Sequence, residues 1–271
     1  MIRVLSLTIL FVITFVPTAI VAQDFQGVAT YKSHRKMNLK VGDGKETAMQ
    51  KEIQAQLAKQ MQQEYTLKFN REASLYKKEE QLSGPAPSSG GIQITLSGNT
   101  DIRYKNTKEN RYTVKKEFMG KVFLIKDELT PRQWVLAEGT KNIGKYTCYK
   151  ATFTDSITST SFTDKGEITE VKKERVTTAW YTPEIPLTMG PADFGGLPGL
   201  ILEINDGSLT LVCTKIVLNP DEKFEIDEPK KGKVVSQEEF DKIQEKKNKE
   251  MMDNFKSRKK GSGEQIIFIG G

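Results

Sequence analysis

Short runs of alternating polar and apolar residues, each ended by Gly, Asn, Asp or Pro, recur along most of this 271-residue chain. Such runs favour β-strands, because successive side chains of a strand point to opposite faces. Strands at this spacing form an antiparallel meander that buries one face. No segment repeats at an interval of about 20–50 residues, which excludes a repeat array. The predicted strands lie at 25–31, 65–70, 73–80, 102–106, 112–118, 122–126, 134–137, 146–154 and 167–181.

Two segments have helical periodicity instead. Residues 45–63 follow a capping-box pattern, and an apolar residue recurs at every fourth position from Met49 to Met61. Residues 237–258 follow a second capping box, Ser236 to Glu239, and carry apolar residues on one side. Those residues are Phe240, Ile243, Met251 and Phe255. We therefore predict a mainly β fold with α-helices: a curved antiparallel sheet or half-open barrel with two helices across its concave side.

The first 22 residues have the three parts of a secretory signal: a basic start, an uncharged apolar stretch and small residues at its end. Pro17 interrupts the apolar stretch and no basic cluster follows it, which argues against a membrane anchor. We expect cleavage near Ala22 and export to the periplasm or the medium. No cysteine follows the cleavage region, so a lipid anchor is not expected. Residues 23–271 are predicted to form one domain with a mobile loop at 83–91, which is rich in Gly, Pro and Ser.

The formal net charge is +6 and the pI is about 9.0. Lysines are interspersed with acidic residues, which is typical of solvated strand faces and argues against a nucleic-acid partner. The far end of the second predicted helix is basic, with Lys246, Lys247 and residues 256–260. Two interpretations remain open: weak contact with an anionic membrane surface, or basic residues that suit the C-terminal end of a helix.

The two cysteines, Cys148 and Cys213, both lie in predicted strands. In an oxidising compartment they could pair, and the chain-entropy model gives a loop of this length a stabilisation of up to ~4 kcal/mol. They could equally be two buried thiols that pack as small apolar residues.

The most distinctive stretch runs from Ala179 to Glu203. Pro198 and Gly199 occupy the second and third positions of Leu197-Pro198-Gly199-Leu200, which predicts a type II turn. A hairpin is expected next, with strands at 200–204 and 208–218 joined by a turn at 205–207. The remaining candidate turn residues are Gly190, Pro191 and Gly196.

Aromatic and apolar side chains flank this turn. They are candidates for the lining of a site for an apolar ligand or peptide, and ordinary core packing is the alternative. The candidate ligand-binding residues are Trp180, Tyr181, Phe194, Leu197 and Pro198.

The hexapeptide Gly196-Leu197-Pro198-Gly199-Leu200-Ile201 is similar to the motif of the GLPGLI family, exported proteins of Bacteroidetes-type bacteria. The segments 134–136, 143–151 and 179–181 also resemble that family's pattern. Gly139 departs from it, because an acidic residue is expected before Thr140-Lys141. The resemblance implies export and no established activity.

The sequence offers no recognisable catalytic, metal or cofactor site. One histidine, His34, is too few for a Ser-His-Asp, Cys-His or His-rich zinc constellation. Glu184, Asp193 and Glu203 are candidate carboxylates by position alone. We therefore expect a non-catalytic binding module for an apolar ligand or peptide. The alternatives are an assembly factor for a cell-envelope complex and a hydrolase of an unrecognised type.

Overall fold

The computed structural model describes residues 25–35, 62–79, 101–162 and 168–259, together with a short strand pair at 88–89 and 92–93. Its strands are β1 Gln26–Arg35, β2 Glu64–Asn70, β3 Ala73–Lys78, β4 Ser88–Ser89, β5 Ile92–Gln93, β6 Ile102–Asn106, β7 Arg111–Phe118, β8 Lys121–Glu128, β9 Val135–Ile143, β10 Tyr146–Phe162, β11 Ile168–Thr182, β12 Leu200–Asn205, β13 Leu209–Leu218 and β14 Lys233–Val235. Within the described ranges there is one helix, α1, Gln237–Lys259.

Twelve strands form one open sheet in the order β14-β8-β7-β6-β3-β2-β1-β13-β12-β11-β10-β9, and β4 pairs only with β5. All neighbours in the large sheet are antiparallel except β14, which runs parallel to β8. The mainly β prediction is confirmed, but the sheet is mixed rather than antiparallel. β14 runs parallel because the chain returns to β8 through the long irregular stretch 219–232 after leaving β13.

The sheet must be strongly curled. β8 and β9 lie ten positions apart in the strand order, which in a flat sheet would separate them by about 48 Å. Yet only residues 129–134 connect them, and so short a loop reaches at most about 25 Å. We call residues 129–134 the crossover. It spans the open side of the curled sheet and brings the ends of β8 and β9 together.

The first core cluster joins the middle of the sheet to the segment after β11. Tyr31, Leu67 and Phe69 from β1 and β2 are fully buried there with Ile185, which lies between β11 and β12. The Tyr31 hydroxyl donates a 2.7 Å hydrogen bond to the carbonyl oxygen of Ile201, which ties the middle strand β1 to β12. A second cluster joins β10 to β13 around Ala179 and Ile201.

The helix α1 begins as its capping box predicts. The Glu239 amide donates to Ser236 Oγ at 3.1 Å, and the Ser236 amide donates to Glu239 Oε2 at 2.9 Å. Phe240 is buried against Phe118 and Phe123 in a third cluster. From residue 245 onward every described side chain is exposed, so α1 is anchored by its first turns to the β8 edge and does not cross the concave side. The predicted helix at 45–63 lies outside the described residues as far as residue 61; Gln62 and Gln63 are not helical.

The predicted hairpin at 200–218 is confirmed by β12 and β13, joined by a turn in which the Asp206 carboxylate accepts from the amides of Ser208 and Leu209. Of the predicted loop at 83–91, only residues 88–89 are described, and they pair with 92–93. Within the described residues, no helix is long and apolar enough to cross a membrane.

Candidate functional site

Residues 183–199 connect β11 to β12 and are called the motif segment. Its end differs from the predicted type II turn: the Gly199 amide bonds the carbonyl oxygen of Leu197, two residues back, at 2.8 Å. The Leu200 amide instead reaches Ile185 O at 3.0 Å. The segment thus folds back on its own start, and a Cβ on Gly199 would lie 2.2 Å from the carbonyl oxygen of Thr182. Close backbone approach, and not the turn type, is the reason for glycine at this position.

A tight turn at 191–194 forms the tip of the motif segment. The Phe194 amide donates to the carbonyl oxygen of Pro191 at 3.0 Å. Ala192 has φ +51°, a left-handed conformation that disfavours a residue with a Cβ. Pro191 is buried beside Gly190, so the turn projects from a fixed base and presents Asp193 outward.

The crossover holds this tip through two side chains. Trp134 Nε1 donates to the carbonyl oxygen of Gly195 at 2.9 Å. Arg132 forms an ion pair with Asp193, and its guanidinium lies 4.7 Å from the ring centre of Phe194 and 5.4 Å from that of Phe153. The chain that closes the curled sheet therefore also fixes the motif segment.

Lys105, from β6, binds the tip through hydrogen bonds to its backbone. Its Nζ donates to the carbonyl oxygens of Phe194 at 2.7 Å and Gly190 at 3.4 Å, and the residue is only 7% exposed. Burial lowers the pKa of Lys105 to about 7; Asp193 opposes the shift, whereas the like charges of Arg103 and Arg132 add to it. A cation held in a cleft at such a pKa is a candidate functional group.

A cleft of about 440 Å³ opens between β6, β7, the crossover and the motif-segment tip. Its charged lining residues are three cations, Arg103, Lys105 and Arg132, and one carboxylate, Asp193. Tyr104 and Tyr112 supply aromatic surface. A second hollow of about 220 Å³ shares Lys105, Leu129, Thr130, Arg132 and Asp193 with the first and continues along Pro131 and Met189. Clefts of this size accommodate small organic ligands.

The Asp193 carboxylate is the one anion among these cations. Its side chain is 53% exposed at the mouth of the cleft. Removal from water would raise the pKa of Asp193, yet that pKa lies below its usual value because Arg132, Arg103 and Lys105 face the carboxylate. The position therefore favours negative charge.

The five candidate ligand-binding residues are not brought together. Leu197 and Tyr181 are buried in the second core cluster, while Trp180 packs against the first and has Lys141 Nζ 4.5 Å from its ring centre. Pro198 is exposed. Phe194 alone adjoins the cleft, where its carbonyl oxygen accepts from Lys105 and its ring packs under Arg132. The aromatic mouth therefore does not form as one surface; most of these side chains pack in the core.

The remaining candidates lie apart from one another. His34 is exposed on β1. Glu203 pairs with Lys141 at 2.7 Å, and Glu184 accepts from the Thr147 amide at 2.8 Å, so neither shares a partner with Asp193. Among the residues that the structure describes, no group of three or more His, Cys, Asp and Glu side chains could hold a metal ion.

Cys148 and Cys213 are buried free thiols in the first core cluster. Burial raises the pKa of Cys148 to about 11 and that of Cys213 to about 12. Thiols held protonated in this way react poorly. The structure thus has the second of the two alternatives, two buried thiols that pack as apolar residues.

Residues 134–203 match the model of a family described as a protein of unknown function, Porph_ging. This range starts at Trp134 of the crossover and contains the whole motif segment. No curated protein matches the chain.

Among solved structures, the chain is similar to PNGF-II in a C2 space group, with a TM-score of 0.48 and 13% identity over 81% of this chain and 32% of that one. A second structure of PNGF-II, in a P21 space group, gives a TM-score of 0.42 and 14% identity over 74% of this chain and 29% of that one. The chain thus spans about a third of the length of PNGF-II.

Proposed function

We propose that this protein is a non-catalytic binding module that holds a small ligand in the cleft between β6, β7 and the tip of the motif segment. The observation that carries the proposal is the convergence of four chain segments, the β6–β7 pair, the crossover, the motif segment and the start of α1, on one cleft of about 440 Å³. Two of them, the crossover and the motif segment, are fixed to each other by Trp134 and Arg132. A site whose walls are held in place before the ligand arrives loses little entropy on binding.

The proposal keeps the predicted half-open barrel, with the cleft at its open side, and moves the ligand site away from Trp180 and Tyr181. The second hollow supports a partly apolar ligand, because it adds Pro131 and Met189 to Leu129, which lines both hollows.

Export belongs to the same proposal. Residues 1–22 would be removed as a signal peptide, and the domain would work in the periplasm or the medium without a lipid anchor. Lys246 and Lys247, in the basic far end of α1, are exposed to solvent. This supports weak contact with an anionic membrane surface.

Native mass spectrometry of the protein purified from the envelope of its producing cells tests the binding function. Thr130 lines the cleft and is exposed, so Thr130→Trp would fill it. Gln133 lies in the same crossover, is exposed and lines neither hollow, so Gln133→Trp is the matched control. We expect a bound small-molecule mass in the wild type and in the control that disappears in Thr130→Trp. An empty wild-type protein, or equal occupancy of both variants, would contradict a ligand in this cleft.

A second function, assembly into an envelope complex, is favoured by β9, the last strand of the sheet among the described residues. Val135 and Leu136 on the edge strand β9 are 65% and 63% exposed. An exposed apolar edge strand is a site for pairing with another chain. Blue-native electrophoresis of envelope extracts tests it: a high-mass complex should be lost with Leu136→Lys and retained with Thr130→Trp. Migration of the wild type as a monomer would argue against assembly.

A further inference from the structure

We propose that the ligand of the cleft is a small organic anion whose carboxylate or phosphate group takes the place of the Asp193 carboxylate beside Arg132, Arg103 and Lys105. This inference rests on the proposed function and names the chemical class of its ligand.

The cleft has an excess of positive charge. Three of its lining side chains are cations and one is a carboxylate. Arg103 has a further acidic neighbour, Asp101, at 4.0 Å, but that carboxylate also lies 3.4 Å from Lys116 and does not line the cleft. Guanidinium groups in a partly dry cleft bind carboxylates and phosphates through short, charge-assisted hydrogen bonds.

Asp193 marks where the anion of the ligand would sit. Its carboxylate pairs with Arg132 and is held ionised by all three cations. It is also half exposed and carried on a turn whose preceding residue, Ala192, is left-handed. An anion delivered from solvent could therefore replace it at Arg132, since the Asp193 side chain needs only to swing toward the water that it already contacts.

The rest of the ligand has a defined path. The second hollow shares the three charged residues Lys105, Arg132 and Asp193 and the apolar Leu129 with the cleft, and it then continues to Pro131 and Met189. An anionic head at Arg132 would thus be followed by a short apolar body. This combination favours an organic anion over a free inorganic ion and over a wholly apolar ligand.

Lys105 makes binding sensitive to pH. The groups that face it are Asp193, which raises its pKa, Arg103 and Arg132, which lower it, and the carbonyl oxygens to which it donates. Asp193 leaves Arg132 but stays at the mouth of the cleft, so a bound anion adds negative charge near Lys105 and would raise its pKa above the value of about 7 in the free protein. Binding would then take up a proton above about pH 7, and affinity should fall as the pH rises from that point.

Isothermal titration calorimetry of the purified protein with hexanoate, hexyl phosphate and neutral 1-hexanol tests the inference. We expect both anions to bind and hexanol to bind at least tenfold more weakly; the tighter of the two anions identifies the preferred head group. Hexanoate stays ionised near neutrality, so a fall in its affinity between pH 7 and 9 reports Lys105 rather than the ligand.

The variants separate a site from general surface charge. Asp193→Asn should tighten hexanoate binding by about tenfold, because it removes the competing carboxylate, and Arg103→Gln should weaken it by a similar factor. Lys108→Gln removes one positive charge outside the cleft, where the side chain is 68% exposed, and should leave the affinity unchanged. The wild-type pH series needs no variant and stands if Arg103→Gln fails to fold.

Three results would overturn the inference: hexanol bound as tightly as the anions, Asp193→Asn weakening hexanoate, or Lys108→Gln weakening it as much as Arg103→Gln. If none of the probes binds but native mass spectrometry shows a ligand that Thr130→Trp expels, the anion is wrong and the binding function stands. If no ligand is found by either method, both proposals fail.

Discussion

Gly199 shows how one missing side-chain atom fixes the motif segment. An alanine Cβ there would meet the Thr182 carbonyl oxygen at 2.2 Å; that oxygen belongs to the backbone and the Cβ is fixed to it, so neither atom can rotate away. We expect Gly199→Ala to lower the free energy of unfolding by roughly 2–4 kcal/mol, measured by urea denaturation. Gly207→Ala is the matched control. Its φ is +91° and nothing lies within 4 Å, so only backbone strain of about 1 kcal/mol applies. Equal losses in the two variants would rule out the close approach as the cause.

Glu228 fastens the irregular stretch 219–232 onto the sheet. Its carboxylate accepts from Arg111 Nη1 at 2.8 Å and Thr113 Oγ1 at 2.6 Å and lies 2.8 Å from Lys126 Nζ. Burial acts to raise the pKa of Glu228, but these partners outweigh it and lower the pKa from 4.5 to about 2.

A depressed carboxyl pKa stabilises the fold above the unfolded-state value, and this stabilisation disappears as the pH falls toward the folded-state value. Glu228 should therefore contribute up to about 3 kcal/mol near neutrality, lost between about pH 4.5 and 2. Glu228→Gln should be less stable at pH 7 and lose less stability on acidification, measured by urea unfolding at a series of pH values. Glu222→Gln, at an exposed position of the same stretch, should follow the wild-type profile. A wild-type slope in Glu228→Gln over this range would show that the group does not act in this way.

Among the elements, α1 depends on its first turn. The reciprocal bonds between Ser236 and Glu239 cap its start. Gln237 and the buried Phe240 attach this turn to the sheet, and the described side chains beyond residue 244 are exposed. Ser236→Ala should weaken the helix by about 1 kcal/mol, seen as roughly fivefold faster amide hydrogen exchange in residues 239–246. Glu245→Ala changes an exposed mid-helix residue and should leave exchange unchanged or slower. Unaltered exchange in Ser236→Ala would contradict this role for the cap.

An element can be predicted from sequence when the residues that determine it lie within or next to it. The bounds of β6, the hairpin of β12 and β13 and the start of α1 follow from alternation, turn residues and capping residues, and the structure confirms them. β14 was missed, because its three residues gain strand character only by pairing with distant β8. Lys105 was also missed. The alternating pattern of the strand predicts that Lys105 faces solvent. No residue near Lys105 in the sequence indicates that the motif segment covers this lysine.

The sequence singles out the motif segment but not the cleft beside it. Close backbone packing requires the glycines of the motif segment, so the segment is recognisable from sequence. The sequence also makes candidates of Trp180, Tyr181, Phe194, Leu197 and Pro198, which lie in or next to this segment. The proposed cleft takes its cations from β6 and the crossover instead. Local sequence does not specify which distant strands the curl of a sheet brings together.

For the whole molecule, β1 is the strand on which both halves of the sheet depend, since it pairs with β2 on one side and β13 on the other. A chain that ends at residue 232 keeps both neighbours and loses only β14 and α1. We expect it to stay folded with lower stability, whereas a chain that ends at residue 207 should lack near-UV circular dichroism and expose its core to proteolysis. A folded protein ending at 207 would show that β13 is dispensable.

The position of β1 also sets a timetable for the growing chain. β1 can join β2 as soon as residue 70 has been made, but its other edge waits for residues 209–218. About 140 residues separate these events, which at ordinary rates of protein synthesis is roughly 10–30 s. During that interval the nascent polypeptide cannot close its central sheet, so it remains pliable enough to be threaded through a channel. For a protein that we propose to be exported, the late arrival of β13 would postpone folding until most of the chain has been delivered.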